Sequence, residues 1–175
     1  MKTILVDAIN CFVIEGEAMF REMYELLEKF PNQKIILTGA DDKQFIEFGL
    51  DKMPYKVFTL KHDPDKSDPS YYKIMLDHFS LGKEDVIYFE HNLTAAKSAE
   101  SVGIKTYHYD QYNKDLKDLK SFIDTNIWPS VPNIYINHWK IRFFDSAWRP
   151  VSAETDENEL AKGEFSRKPV QNHLK

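Results

Sequence analysis

The stretch Lys2-Thr3-Ile4-Leu5-Val6-Asp7-Ala8-Ile9-Asn10 decides how this chain is read. Ile4, Leu5 and Val6 make a short apolar run that ends at a carboxylate, Asp7. A run of that length, rich in β-branched residues and bounded by polar ones, reads as a buried strand. Asp7 then stands at the strand's carboxyl end, the edge of an open α/β sheet where ligands bind. A carboxylate in that place needs a partner, water or a metal, because burying it alone is costly. Taken by itself, Asp7 serves as well for a cap on the loop that follows. The strands downstream decide between the two.

Working outward, the same grammar repeats. A helix is expected over 17–30, with Met19, Met23, Leu26, Leu27 and Phe30 at helical spacing and Pro31 as its stop. Lys34 to Leu37 is a second buried-strand pattern that ends at Thr38-Gly39. A helix over 41–50, a third strand over 55–60 and a charged loop over 62–67 follow. Asp68 and Pro69 then open a helix through Phe79, with proline in its first turn. Val86 to Phe89 is a fourth strand ending at Glu90-His91-Asn92. A helix over 94–102 carries Ala95, Ala96 and Ala99, small enough for close packing, and Gly103 ends it. A fifth strand over 104–109 and an amphipathic helix over 110–126 complete the series. Strands alternating with helices predict a three-layer, Rossmann-like α/β domain over 1–126, with about five parallel strands covered on both faces.

Past Ile127 the character changes. Residues 127–150 are aromatic, with Tyr135, Trp139, Phe143, Phe144 and Trp148. They read as a β-type extension packed on the domain, on a second copy or on a protein partner through 128–150. Residues 151–175 read as a polar tail.

Composition narrows the function classes. The 175 residues are 42% hydrophobic, enough for one proper core, and carry a net charge of −5. That charge argues against general nucleic-acid or membrane-surface binding, which needs a basic face. Cys11 is the only cysteine, so no intrachain disulfide and no cysteine-based metal cluster can form; it reads as a small core residue. No apolar run approaches the ~20 residues of a membrane span and no signal-peptide pattern opens the chain, so a cytoplasmic location is expected.

Polar groups now stand at three strand ends and one helix start: Asp7, Thr38, Glu90 and Lys66. A carboxylate nucleophile, a hydroxyl and an ammonium for phosphate, and a second carboxylate for a cation make a phosphoryl-transfer kit. Each has an ordinary rival. Thr38-Gly39 is also turn chemistry, Lys66 lies among Asp63, Asp65 and Asp68 in a loop suited to solvated ion pairs, and Glu90 suits the start of a helix. His91 could coordinate a metal or bind an anion, but reads first as an exposed strand-end histidine.

The ordered set resembles the haloacid dehalogenase (HAD) superfamily of hydrolases over residues 1–126. The likeness is strongest from Lys66-Ser67-Asp68-Pro69 through Gly103-Ile104, and Asp7 and Thr38-Gly39 match the family's first two motifs. The resemblance implies Asp7 as nucleophile, and Thr38, Gly39 and Lys66 as phosphate-binding groups. It further implies Mg2+ held by Asp7, the backbone carbonyl of Ile9 and Glu90, with a small phosphorylated metabolite as substrate. Only 30 residues separate Asp7 from Thr38 and 27 separate Thr38 from Lys66, which leaves no room for a large cap domain. Three positions depart from the family pattern. Ile9 replaces the aspartate that protonates the leaving group, Cys11 replaces a threonine, and Glu90-His91 replaces an acidic pair. Two readings stay open: a weak or atypical Mg-dependent phosphatase, and a HAD-fold binding or interaction protein that no longer turns over.

Overall fold

The structure, a computed structural model, describes residues 1–14 and 19–127. The aromatic extension and polar tail expected past Ile127 lie outside the described residues.

Five strands form one parallel sheet: β1 (Thr3–Asp7), β2 (Lys34–Thr38), β3 (Lys56–Thr59), β4 (Val86–Glu90) and β5 (Lys105–His108), in the order β3-β2-β1-β4-β5. The expected sheet is therefore present, with the Asp7 strand at its centre. Val6 sits between Ile36 and Phe89 in register, so the ends of β1, β2 and β4 fall at one edge. The chain builds β1 to β3 in one direction and then crosses to β4. The switch point where an open sheet makes its crevice thus lies beside β1.

Alternation along the central strands assigns the two faces. Ile4, Val6, Ile36, Ile87 and Phe89 pack with Met23 and Leu27 of α1 (Arg21–Leu27) and Leu119 and Ile123 of α5 (Leu116–Asn126). Leu5, Ile35, Leu37 and Tyr88 pack on the other face with Tyr71, Tyr72 and Met75 of α3 (Pro69–Phe79) and Ala99 of α4 (Leu93–Ser101). With both faces covered, β1 buries all five of its residues, Asp7 included.

The helix starts follow local chemistry. Asp41 caps α2 (Asp42–Glu47) in a reciprocal capping box with Gln44. Asp68 caps α3 with Pro69 in the first turn, and Asn92 caps α4 by accepting from the Thr94 and Ala95 amides. Two helices start several residues later than their periodicity suggests. Before α1, Val13 bridges to Ile9 and Met19, so Met19 is spent on a tertiary contact rather than on a helical turn. Before α5, Asp110 accepts from the Tyr112 and Asn113 amides and closes a separate turn, and Asp115 then caps the helix. No helix among the described residues is long and apolar enough to cross a membrane.

Candidate active site

A cavity of about 520 Å³ opens at the carboxyl edge of the sheet, and Asp7, Ile9, Thr38, Gly39, Lys66, Glu90 and His91 line it. Every residue that the sequence nominated for catalysis, phosphate or cation is therefore brought to one place.

The sheet supplies the carboxylates. Asp7 and Glu90 end adjacent strands, and their side chains are 2% and 0% exposed. Lys66 reaches both from the loop before α3, donating to Asp7 Oδ1 and, at 2.7 Å, to Glu90 Oε2. The solvated ion-pair reading of Lys66 is overturned: its side chain is only 13% exposed and its partners are strand-end carboxylates 59 and 24 residues away. Burial alone would discourage its charge, but Asp7 and Glu90 hold the ammonium well above the ordinary lysine range.

His91 is the second departure from expectation. It is not an exposed strand-end residue; its side chain is 19% exposed and Nδ1 donates to Asp7 Oδ2 at 2.5 Å. The same Nδ1 lies 3.2 Å from Glu90 Oε1. Burial works against its charge, but the hydrogen bonds to Asp7 and Glu90 outweigh it and raise its pKa from 6.5 to about 9. The ring is thus imidazolium at neutral pH. Two carboxyl groups thus face the ammonium of Lys66 and the ring of His91.

The carboxylates answer in opposite directions. Burial and the neighbouring Glu90 push Asp7 up, against the pull of Lys66 and His91. Glu90 is also buried, yet Lys66, His91 and Tyr88 together hold it well below the usual carboxylate range. Tyr88 Oη donates to Glu90 Oε2 at 2.5 Å, and the Asn92 amide donates to Oε1 at 2.8 Å.

On the β2 side, Thr38 Oγ1 accepts from the Ala40 amide at 3.1 Å, and its hydroxyl hydrogen remains to be donated. Tyr71 Oη donates to the Thr38 carbonyl at 2.7 Å and fixes the turn from below. A Cβ at Gly39 would lie 3.0 Å from His62 Nδ1, so the backbone there and the His62 ring approach closely. His62 also lies 2.8 Å from Gln44 Oε1 and forms one wall of the cavity.

The donor set as folded does not fit a magnesium ion. Such a cation needs several anionic or carbonyl oxygens turned towards it. All four carboxylate oxygens of Asp7 and Glu90 already receive protein donors, and His91 Nδ1 sits against one oxygen of each. Cys11, with Asp7 and His91, places a third candidate ligand atom within 4.8 Å of the others. Burial, reinforced by Asp7 and Glu90, pushes that thiol well above its ordinary range.

The His91 shift carries a stability prediction. A group whose pKa is raised on folding contributes below its unfolded value, and the contribution is lost as pH rises through the folded one. The stability difference between the wild type and His91→Gln is expected to be largest below pH 6.5 and to shrink as pH approaches about 9. Urea midpoints across that range check it; a difference that grows with pH would mean His91 is neutral in the folded protein.

No family model matches the chain, and no curated protein matches it in sequence. Solved structures do match. An uncharacterised protein from Corynebacterium glutamicum superposes with a TM-score of 0.51 at 13% identity, covering 71% of this chain and 96% of its own. A HAD family enzyme from Bacteroides thetaiotaomicron, crystallised with magnesium and inorganic phosphate, superposes with a TM-score of 0.50 at 10% identity. That match covers 68% of this chain and 98% of the enzyme. With β1 central and Asp7 at its end, the chain shares the fold of these two structures, one of which is a HAD family enzyme.

Proposed function

We propose that the protein is a HAD-like hydrolase, a weak or atypical phosphatase that works on a small phosphate ester through an aspartyl-phosphate on Asp7. The single observation that carries this reading is the convergence of Asp7, Thr38, Gly39 and Lys66 on one cavity. Asp7 attacks phosphorus, an Oδ–P bond forms, and the bond to the leaving oxygen breaks with its electron pair. Lys66 and the Thr38 hydroxyl hold the phosphoryl oxygens, where negative charge must be matched. Water then adds to phosphorus, the Oδ–P bond breaks, and phosphate leaves the restored carboxylate. Magnesium, the cofactor that the resemblance implies, would have to take the place between Asp7 and Glu90 where His91 sits.

Ile9 shapes the substrate range. It lines the cavity beside Asp7, and its aliphatic side chain cannot give a proton to the departing alkoxide. A positioned acid contributes about 10²–10⁴-fold, so its lack falls hardest on leaving groups that must be protonated. Aryl and acyl phosphates, whose leaving groups depart as weak bases, suit such a site best. Ile9 is also what favours the rival reading of a HAD-fold binding protein without turnover.

A panel of alkyl, aryl and acyl phosphates, assayed for phosphate release with magnesium present throughout, separates the two. Release from the aryl and acyl members before the alkyl ones is expected. Silence across the panel, with the fold intact, would leave the binding role.

A further inference from the structure

We propose that His91 occupies the seat between the Asp7 and Glu90 carboxylates that a divalent cation would take, so that the site is built to hold its charges together without one. The inference rests on reading Asp7 and Glu90 as the reactive pocket, and it concerns binding rather than turnover.

The geometry carries it. A cation joining two strand-end carboxylates must face one oxygen of each. His91 Nδ1 does so, at 2.5 Å from Asp7 Oδ2 and 3.2 Å from Glu90 Oε1. The two other oxygens are held by Lys66, so the pair is clamped by one ammonium and one ring. Neither carboxylate has an oxygen left without a protein donor. The chain gives the ring little room to be elsewhere. Glu90 ends β4 and Asn92 caps α4, which makes His91 the whole connection between them. Its own carbonyl is fixed as well, accepting from His108 Nε2 at 2.8 Å.

An imidazolium in this seat also keeps something of what a bound cation offers. It presents two N–H donors on opposite sides of a rigid ring. Nδ1 is anchored on the carboxylates, while Nε2 has no hydrogen-bond partner among the described residues and His91 lines the cavity. A phosphoryl oxygen arriving over Asp7 can take that donor, so one ring bridges the carboxylates and the substrate.

The test is direct cation binding, which does not require the protein to be an enzyme. Melting of the wild type is followed as magnesium chloride is raised through the millimolar range, alongside His91→Ala, which opens the seat, and His91→Asp, which adds a ligand. A cation that stabilises only the folded form raises Tm as it binds. The wild type is expected to show no saturable rise, and both variants to show one. Displacing a charged hydrogen bond should weaken wild-type binding by about tenfold or more relative to the variants. Equal half-saturation in the wild type and His91→Ala would overturn the proposal, and so would variants that bind no better than the wild type. Should either variant fail to fold, the His91 ring resonances of the wild type decide. Resonances unmoved by magnesium uphold the assignment, and a saturable shift refutes it. Phosphate release enters none of these readouts, so an inert protein with an occupied seat is distinguishable from an active one that binds magnesium.

Discussion

Replacing Ile9 with aspartate is expected to raise phosphate release from alkyl phosphates by about 10²–10⁴-fold, the range typical of a positioned general acid. Ile9 is half-buried and lines the cavity with Asp7, so a carboxyl at this position faces the space where the leaving oxygen must pass. Two terms reduce the gain. Ile9 packs partly against the core, and the new carboxyl adds a third acid near Asp7 and Glu90. Both raise its pKa, which costs stability but keeps the proton on it near neutral pH, where a donor needs it. Aryl and acyl phosphates should gain much less, because their leaving groups do not wait for a proton. Ile9→Asn is the control, matching aspartate in size without a transferable proton. Equal gains from Asn and Asp would show that space, not acid catalysis, limited the wild type.

The second large effect is on stability. Lys66→Met should cost about 3–5 kcal/mol, the range for breaking a buried charge pair by removing one partner. That is a large share of the roughly 5–15 kcal/mol that holds an ordinary domain together. The reason is the charge count at the site. Lys66 donates to both Asp7 and Glu90, and without it two buried carboxylates share the single cation of His91. One of them must then take up a proton or draw in water. Adding Asp7→Asn to Lys66→Met restores the charge count, so the double variant should lose less than the sum of the singles. Urea unfolding of the three variants checks this. A Lys66→Met protein as stable as the wild type would mean that the four groups do not form a closed cluster.

How much of this could be read from the chain depended on which rule each residue obeyed. Asp7, Thr38 and Glu90 were legible because each ends an apolar run, and parallel strands carry such ends to one edge. Lys66 followed only from its place before the Asp68-Pro69 helix start. Its contacts with Asp7 and Glu90 cross the sheet, and no local pattern encodes them. Tyr88 could have been found, since it lies two residues before Glu90 and therefore on the same face of β4. Its aromatic character pointed to packing instead.

His91 was misjudged for a definite reason. A residue just past a strand usually turns into solvent, and nothing in its type distinguishes a surface histidine from one bound to carboxylates. The signal was spacing. With Glu90 ending a strand and Asn92 capping the next helix, a one-residue connection leaves His91 inside the crevice. Periodicity likewise overran both shortened helices. A bridge back to Val13 took Met19 away from α1, and a competing aspartate turn took residues 110–113 away from α5.

The central claim is that Asp7 is a phosphoryl acceptor, and intact-mass measurement after incubation with acetyl phosphate tests it most directly. Acetate leaves without protonation, so the first step does not need the acid that Ile9 lacks. The second step, attack by water on the aspartyl-phosphate, also goes without that group, so the adduct should persist long enough to be seen. The account predicts a gain of one phosphoryl mass in the wild type, mapped to Asp7 and absent from Asp7→Asn, and a shorter-lived adduct in Ile9→Asp. A folded wild type that acquires no adduct with or without magnesium, or one whose adduct survives Asp7→Asn, would contradict it.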